Sequence, residues 1–221
     1  MMQPMNAGPA GYDGIEKRET QRFVLLLRPA KIIARSGEYV CILRDVAAKG
    51  MRLKLFHPLP ADPYMVLELG NGDRYEVEKI WERDDQAGFS FRYPAELKHL
   101  LEERSRFRKR PLRLRVNVPS RFTLNGETWP CDLLSLSQQG GGIACEALVA
   151  LDQLATLEIP GLPPIETKVR WRRGAGIGLV FEKTFRLDEL AAVALSLQPF
   201  GPAIPSEEEE FLARVRAGAA R

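Results

Sequence analysis

The sequence predicts an all-β protein with short α elements, made of two tandem copies of one small antiparallel domain. The first observation behind this is an internal repeat. Displaced by 90 positions, Cys41 falls on Cys131, Leu43 on Leu133, Gly50 on Gly140 and Glu68 on Glu158. Trp81 then meets Trp171, Gly88 meets Gly178 and Phe91 meets Phe181. Two of the three tryptophans coincide, each followed by Gly after seven residues and by Phe after ten. Rare residues seldom fall into one ungapped register by chance, so the repeat fixes the architecture before any element is assigned. The second observation is local. Phe23 to Ala34 and Leu43 to Leu55 are dense in Val, Ile, Leu and Phe, while Ser36-Gly37, Asn71-Gly72 and Asn125-Gly126 tolerate positive φ in tight hairpin turns. Short strands broken by turns every ~8–12 residues predict a barrel or a sandwich.

The elements follow in order. Residues 1–15, rich in Gly, Pro and Ala, read as a flexible leader. The first copy runs over 16–102 and the second over 103–197. Upstream of the cysteines the register is expected to slip, through a longer first hairpin in the second copy. Each copy ends in a short helix, with Leu97, Leu100 and Leu101 in the first and Leu187, Leu190 and Val193 in the second, three or four apart. Such a helix is suited to cover an open barrel end. Residues 198–221 begin with Pro199, Pro202 and Pro205, which break regular structure. Ser206 then precedes Glu207 to Glu210 as an N-cap followed by a first acidic turn, with Phe211, Leu212 and Val215 as the apolar face of a last helix.

Composition bounds the function. At 221 residues the chain can bury two cores. No run approaches the ~18 apolar residues of a membrane span, and the N-terminus lacks the basic start and apolar stretch of a secretory signal, so the expected location is cytoplasmic. Cys41, Cys131 and Cys145 form no close pair, and His57 and His99 lie far from them, so neither a disulfide framework nor a metal site is expected. Cys41 and Cys131 are expected to pack as small buried groups, and Trp81 and Trp171 as core or barrel-closing residues. A net charge of +3 says little about partners. The basic segment Arg104 to Arg121 would suit a nucleic acid electrostatically, but only Phe107 and Phe122 are there to stack on bases, so nucleic acid is an unlikely partner. No nucleophile–base motif and no GxxxxGK loop is present, and the expectation is a protein that is not an enzyme.

The most informative residues stand at the start of each copy and at its second turn. In the first copy Arg18 and Arg22 are four apart, and the turn Asp45-Val46-Ala47-Ala48-Lys49-Gly50 begins 23 residues after Arg22. In the second copy Arg106 and Arg110 precede Ser135-Leu136-Ser137-Gln138-Gln139-Gly140, which begins 25 residues after Arg110. Arg104 and Arg108 also fit the spacing, at 27 residues from the turn, which is further from the first copy's value. A guanidinium is planar, permanently charged and carries a fork of donors that matches phosphate oxygens or the O6 and N7 edge of guanine. A carboxylate such as Asp45 accepts from the guanine N1 and N2 donors. Gly50 or Gly140 removes Cβ where the backbone turns sharply or meets a ligand.

This arrangement resembles the PilZ family, with its RxxxR arm and [D/N]xSxxG turn, and the resemblance extends to the closing Gly-x-x-Phe at Gly88–Phe91 and Gly178–Phe181. It implies two six-stranded antiparallel barrels that bind cyclic di-GMP, with the arginine arm folding over the ligand and signalling through reoriented arms and domains. The implied partner is a protein of motility, exopolysaccharide or regulatory machinery. Two departures bear on the sites. Ala47 stands at the family's serine, which removes a hydroxyl contact of about 0.5–1.5 kcal/mol. Ser135 replaces Asp or Asn, which removes a charged acceptor of roughly 1.5–3 kcal/mol. The first copy, with Arg18, Arg22, Asp45 and Gly50, is therefore the preferred site. The second, with Arg106, Arg110, Ser135, Ser137 and Gly140, is the weaker. The same departures leave an alternative, a degenerate scaffold that binds proteins and no nucleotide.

Overall fold

In the computed structural model the described residues are 23–95, 100 and 111–198. Twelve strands among them form two closed antiparallel barrels of six. The first holds β1 (Phe23–Ala34), β2 (Gly37–Ala47), β3 (Gly50–Leu55), β4 (Tyr64–Leu69), β5 (Arg74–Arg83) and β6 (Gln86–Phe91) in the order β1-β2-β3-β6-β5-β4. The second holds β7 (Arg113–Leu124), β8 (Glu127–Ser137), β9 (Gly140–Ala144), β10 (Leu154–Glu158), β11 (Ile165–Arg173) and β12 (Gly176–Phe181) in the equivalent cyclic order. Closure pairs every strand on both sides and leaves no open edge.

The repeat is kept more strictly than the sequence suggests. β1 and β7 are each 12 residues long and start 90 positions apart, and both first hairpins close on two residues, with Ala34 opposite Gly37 and Leu124 opposite Glu127. The expected slip in the first hairpin is therefore absent. The offset lies before the strand, since Arg22 directly precedes β1 whereas Arg110 stands three positions before Arg113 (113 − 110). In the second hairpin Asn125 and Gly126 take φ of 51° and 82°, the double left-handed pair that twists with the strands.

Alternation builds the cores. Along β7, Leu114, Val116, Phe122 and Leu124 point inward while Arg113, Arg115 and Arg121 point out. Each large side chain so buried contributes about 1.5–3 kcal/mol. The first core holds Ile32, Leu43, Leu53, Leu67 and the helical Leu100, and the second Leu133, Ile143, Leu157 and Ile177. The helix α1 (Leu187–Ser196) covers the second core with Leu190, Ala191 and Ala194, as expected for a barrel cover. Its first turn is fixed by Glu189, which accepts the Arg186 N–H at 2.8 Å. Of the other expected first-copy helical positions, Leu97 and Leu101 lie outside the described residues.

The two barrels share an interface. β2 is buried continuously from Gly37 to Cys41, and α1 packs on it. Val40 of the first barrel belongs to the second barrel's core cluster, and the half-buried Phe56 packs against it. Within the interface Lys31 and Glu38, 3% and 2% exposed, form an ion pair at 2.8 Å. The Lys31 ammonium also forms an ion pair with Glu68 at 3.1 Å and donates to the Arg113 carbonyl at 2.8 Å. Glu38 accepts from the Arg115 backbone N–H and Nε, both at 2.8 Å, and its carbonyl accepts from Gln198 at 2.9 Å. Burying two charges is costly unless they are well partnered, and here the ammonium meets two carboxylates and a carbonyl.

Candidate ligand site

The turn between β2 and β3 carries the first-copy site residues, and a β-bulge aims them. Cys41 and Leu43 point into the core, so strict alternation would send Asp45 after them. The register of β2 on β3 shifts between Leu43 and Asp45, and the inward role passes to Val46. Asp45 consequently faces outward. Equivalent irregularities recur between Leu133 and Ser135, between Lys79 and Trp81, and between Val169 and Trp171. The bulge is thus part of the repeated design.

A cavity of about 460 Å³ opens over this turn, lined by Asp45, Lys49, Gly50 and Arg52 on one side and by Ile80, Trp81 and Ser90 on the other. Its volume falls within the roughly 300–1,000 Å³ of small-ligand pockets. Asp45 forms an ion pair with Arg52, its cross-strand neighbour. The carboxylate is 16% exposed and the arginine 45%, so the arginine stands at the mouth and the acid behind it.

Both tryptophans are surface residues, 43% exposed at Trp81 and 40% at Trp171, which overturns the core role of the two expected and leaves the barrel-closing one. Each packs against the glycine across the strand pair, and a Cβ on Gly88 or Gly178 would collide with the indole at Nε1 and the two carbons bonded to it. This accounts for the Trp-to-Gly spacing of the repeat, and in the first copy it makes Trp81 a wall of the cavity. Gly50 and Gly140 serve an equivalent close approach, since a Cβ there would strike the carbonyl of Phe89 or Leu179. The closing Phe is tied to the same turn: the Phe91 N–H donates to the Lys49 carbonyl at 3.2 Å and the Phe181 N–H to that of Gln139 at 2.9 Å.

In the second copy the Ser137 hydroxyl donates to the Gly140 carbonyl at 2.9 Å and is 1% exposed. It staples the turn rather than facing outward. Position 142, equivalent to Arg52, is glycine. Arg113 from β7 reaches Ser135 Oγ instead, at 3.4 Å. The arms Arg18–Arg22 and Arg106–Arg110 lie outside the described residues.

Sequence reasoning overlooked Arg52, Lys49, Ile80, Trp81 and Ser90 as cavity residues. Arg52 had a signal: a two-residue turn at Ala48-Lys49 puts residue 47 opposite 50, and counting outward puts 45 opposite 52, before the bulge is reached. The cysteines offer no nucleophile. All three are unpaired and buried, burial pushes the Cys41 thiol up, and burial with help from Cys145 and Asp132 pushes Cys131 up to about 12. No group of His, Cys, Asp and Glu suited to a metal occurs among the described residues. No helix among them is long and apolar enough to cross a membrane.

Comparison with known proteins places the second barrel. Similar solved structures include Borreliella burgdorferi PlzA in complex with c-di-GMP, 11% identical, covering 75% of this chain and 86% of that one with a TM-score of 0.31. Escherichia coli YcgR in complex with c-di-GMP is 13% identical, with coverage of 88% and 89% and a TM-score of 0.33. The K. pneumonia MrkH–c-di-GMP complex is 15% identical, with coverage of 77% and 87% and a TM-score of 0.33. No curated protein matches the chain. The PilZ domain family model matches residues 102–195, which take in the whole second barrel, its turn motif and most of α1. Residues 102–195 are therefore similar to the PilZ domain, and the barrel before them repeats the same strand order.

Proposed function

We propose that the chain is a cyclic di-GMP receptor that acts without catalysis, with the first barrel as its stronger site. The observation that carries this reading is the cavity over the Asp45–Gly50 turn, where an acid, two cations and an indole wall converge. On this reading Asp45 accepts from the guanine N1–H and N2–H₂ edge. Arg52, displaced from Asp45, turns to a phosphate or to the O6 and N7 edge, and Arg18 and Arg22 close over the nucleotide. The second copy supplies Arg106, Arg110 and Ser135, with Ser137 and Gly140 shaping its turn.

Signalling would run through the shared interface. The second arm leads directly into β7, whose Arg113 carbonyl and Arg115 guanidinium hold Lys31 and Glu38 of the first barrel. A nucleotide that draws the arm onto its barrel favours whichever arrangement of this joint accommodates it. Arg113 stands at the crossing, its guanidinium on Ser135 and its carbonyl on Lys31.

The test is calorimetric titration of the full chain with cyclic di-GMP and cyclic di-AMP. Cyclic di-GMP should bind and cyclic di-AMP should not, because adenine offers an amino donor where the site presents donors. Asp45→Ala should weaken binding by about 10- to 100-fold, the weight of a hydrogen bond to a charged group of roughly 1.5–3 kcal/mol, and Ser135→Ala by far less. Absence of binding would leave the scaffold reading, favoured by an Asp45 already paired with Arg52 and a Ser137 turned inward.

A further inference from the structure

The three most exposed large hydrophobic side chains among the described residues fall in one short segment of the chain. Leu148, Leu151 and Leu154 are 79%, 65% and 72% exposed, on the segment that leads from β9 into the first residue of β10. Soluble surfaces scatter such residues singly, and a group of them marks a contact site.

What surrounds them identifies the contact. The segment is laid along β11: the Asp152 N–H donates to the Val169 carbonyl at 2.8 Å, the Val169 N–H donates to the Gln153 carbonyl at 2.9 Å, and Leu154 is the cross-strand partner of Lys168. β11 presents Lys168, Arg170, Trp171, Arg172 and Arg173 to solvent. Asp152 lies 3.8 Å from Arg170 and offsets one of these charges. Exposed leucines beside a cationic strand with an interfacial tryptophan form the pattern of a surface that lies on lipid: apolar groups enter the acyl boundary while Lys and Arg meet anionic headgroups. A second copy of the chain fits less well, because a symmetric contact through this face sets one β11 against the other, cation against cation.

We propose that this face of the second barrel docks reversibly on anionic membrane surfaces, with Leu148, Leu151 and Leu154 as the inserted residues and β11 as the headgroup contact. The proposal needs no nucleotide and stands apart from the receptor reading.

Co-sedimentation of the full chain with phosphatidylglycerol and with phosphatidylcholine vesicles, without nucleotide, is the test. The wild type should pellet with the first and remain in solution with the second. The double substitution Leu148→Ser and Leu151→Ser should reduce phosphatidylglycerol binding about tenfold or more, given the weight of burying two leucines. Lys168→Glu should reduce it at low salt. Thermal unfolding unchanged from wild type shows that the variants fold, as exposed positions should. Failure of the wild type to pellet with phosphatidylglycerol overturns the proposal, as does a leucine variant that binds like the wild type. Sedimentation equilibrium decides against it too if the wild type is a dimer that the leucine variant converts to a monomer, since a second copy would then cover the face.

Discussion

Strands β2 and β8 occupy the same place in their barrels, with the same length, the same two-residue turn before them and the same bulge near their ends. Their inward residues match, Cys41 and Leu43 against Cys131 and Leu133. Their outward residues do not. Glu38 and Val40 are buried under the second barrel, whereas their counterparts Thr128 and Pro130 face solvent. The same contrast holds for a charge pair. Lys31 on β1 meets Glu68 on β4, and 90 positions later Arg121 on β7 meets Glu158 on β10. In the first pair Lys31 is buried and joined to the interface network, with Glu68 half-buried beside it. The second sits at 3.7 Å with both side chains in water. A duplicated domain therefore turns one copy's solvent face into a joint by changing a few outward residues, and leaves the inward pattern alone.

The sharpest way to break this comparison is to remove the cation from each pair. Lys31→Met removes the ammonium from the buried Glu38, while Glu68 keeps Arg74, and breaking a buried pair in this way costs about 3–5 kcal/mol. Arg121→Met removes an exposed partner, worth about 0–1 kcal/mol. Urea unfolding of the full chain should show a large fall in midpoint for the first and almost none for the second. Similar small shifts in both would mean that the interface does not hold the barrels together.

The glycines under the tryptophans sharpen the comparison from the other side, because there the copies agree. Gly88→Ala and Gly178→Ala each force the indole off its seat, and overpacking of this kind costs about 1–3 kcal/mol. The two losses of stability should be alike. Only Gly88→Ala should also change ligand affinity in the cavity, since Trp81 is its wall. Unequal stability losses would show that the Trp-on-Gly packing is a feature of one copy.

Much of this was legible in the sequence, for physical reasons that also explain what was not. The repeat, the strands, the turns and the helix over Leu187, Leu190 and Val193 are written in short-range periodicity and turn chemistry. The bulge after Leu43 leaves a trace too, since the inward series Cys41, Leu43, Val46 breaks its period of two. The interface leaves none. Lys31 and Glu38 look like any solvated strand pair, and nothing local separates Lys31 from Arg121, because what buries one is a barrel 82 residues away in the chain (113 − 31 = 82). The direction of a hydroxyl is equally silent. Ser137 reads as a ligand contact from its motif, and its hydroxyl donates to the Gly140 carbonyl of its own turn.

That last point yields the smallest effect and the most discriminating one. The turns Asp45–Gly50 and Ser135–Gly140 differ at the braced position, Ala47 against Ser137. If the serine acts only as a staple, Ser137→Ala should lower the stability of the second barrel by about 0.5–1.5 kcal/mol, the net worth of one neutral hydrogen bond. Ala47→Ser should return up to a similar amount to the first barrel, because its hydroxyl can donate to the Gly50 carbonyl as Ser137 does to that of Gly140. Affinity for cyclic di-GMP should then stay within about twofold of the wild type, since a hydroxyl turned into the turn has no bond left to offer a nucleotide, and a tenfold gain needs a net 1.4 kcal/mol. Thermal unfolding and titration of the same two variants separate the cases. A gain in affinity of tenfold from Ala47→Ser, without a gain in stability, would show the hydroxyl facing the ligand and would restore it to the binding set.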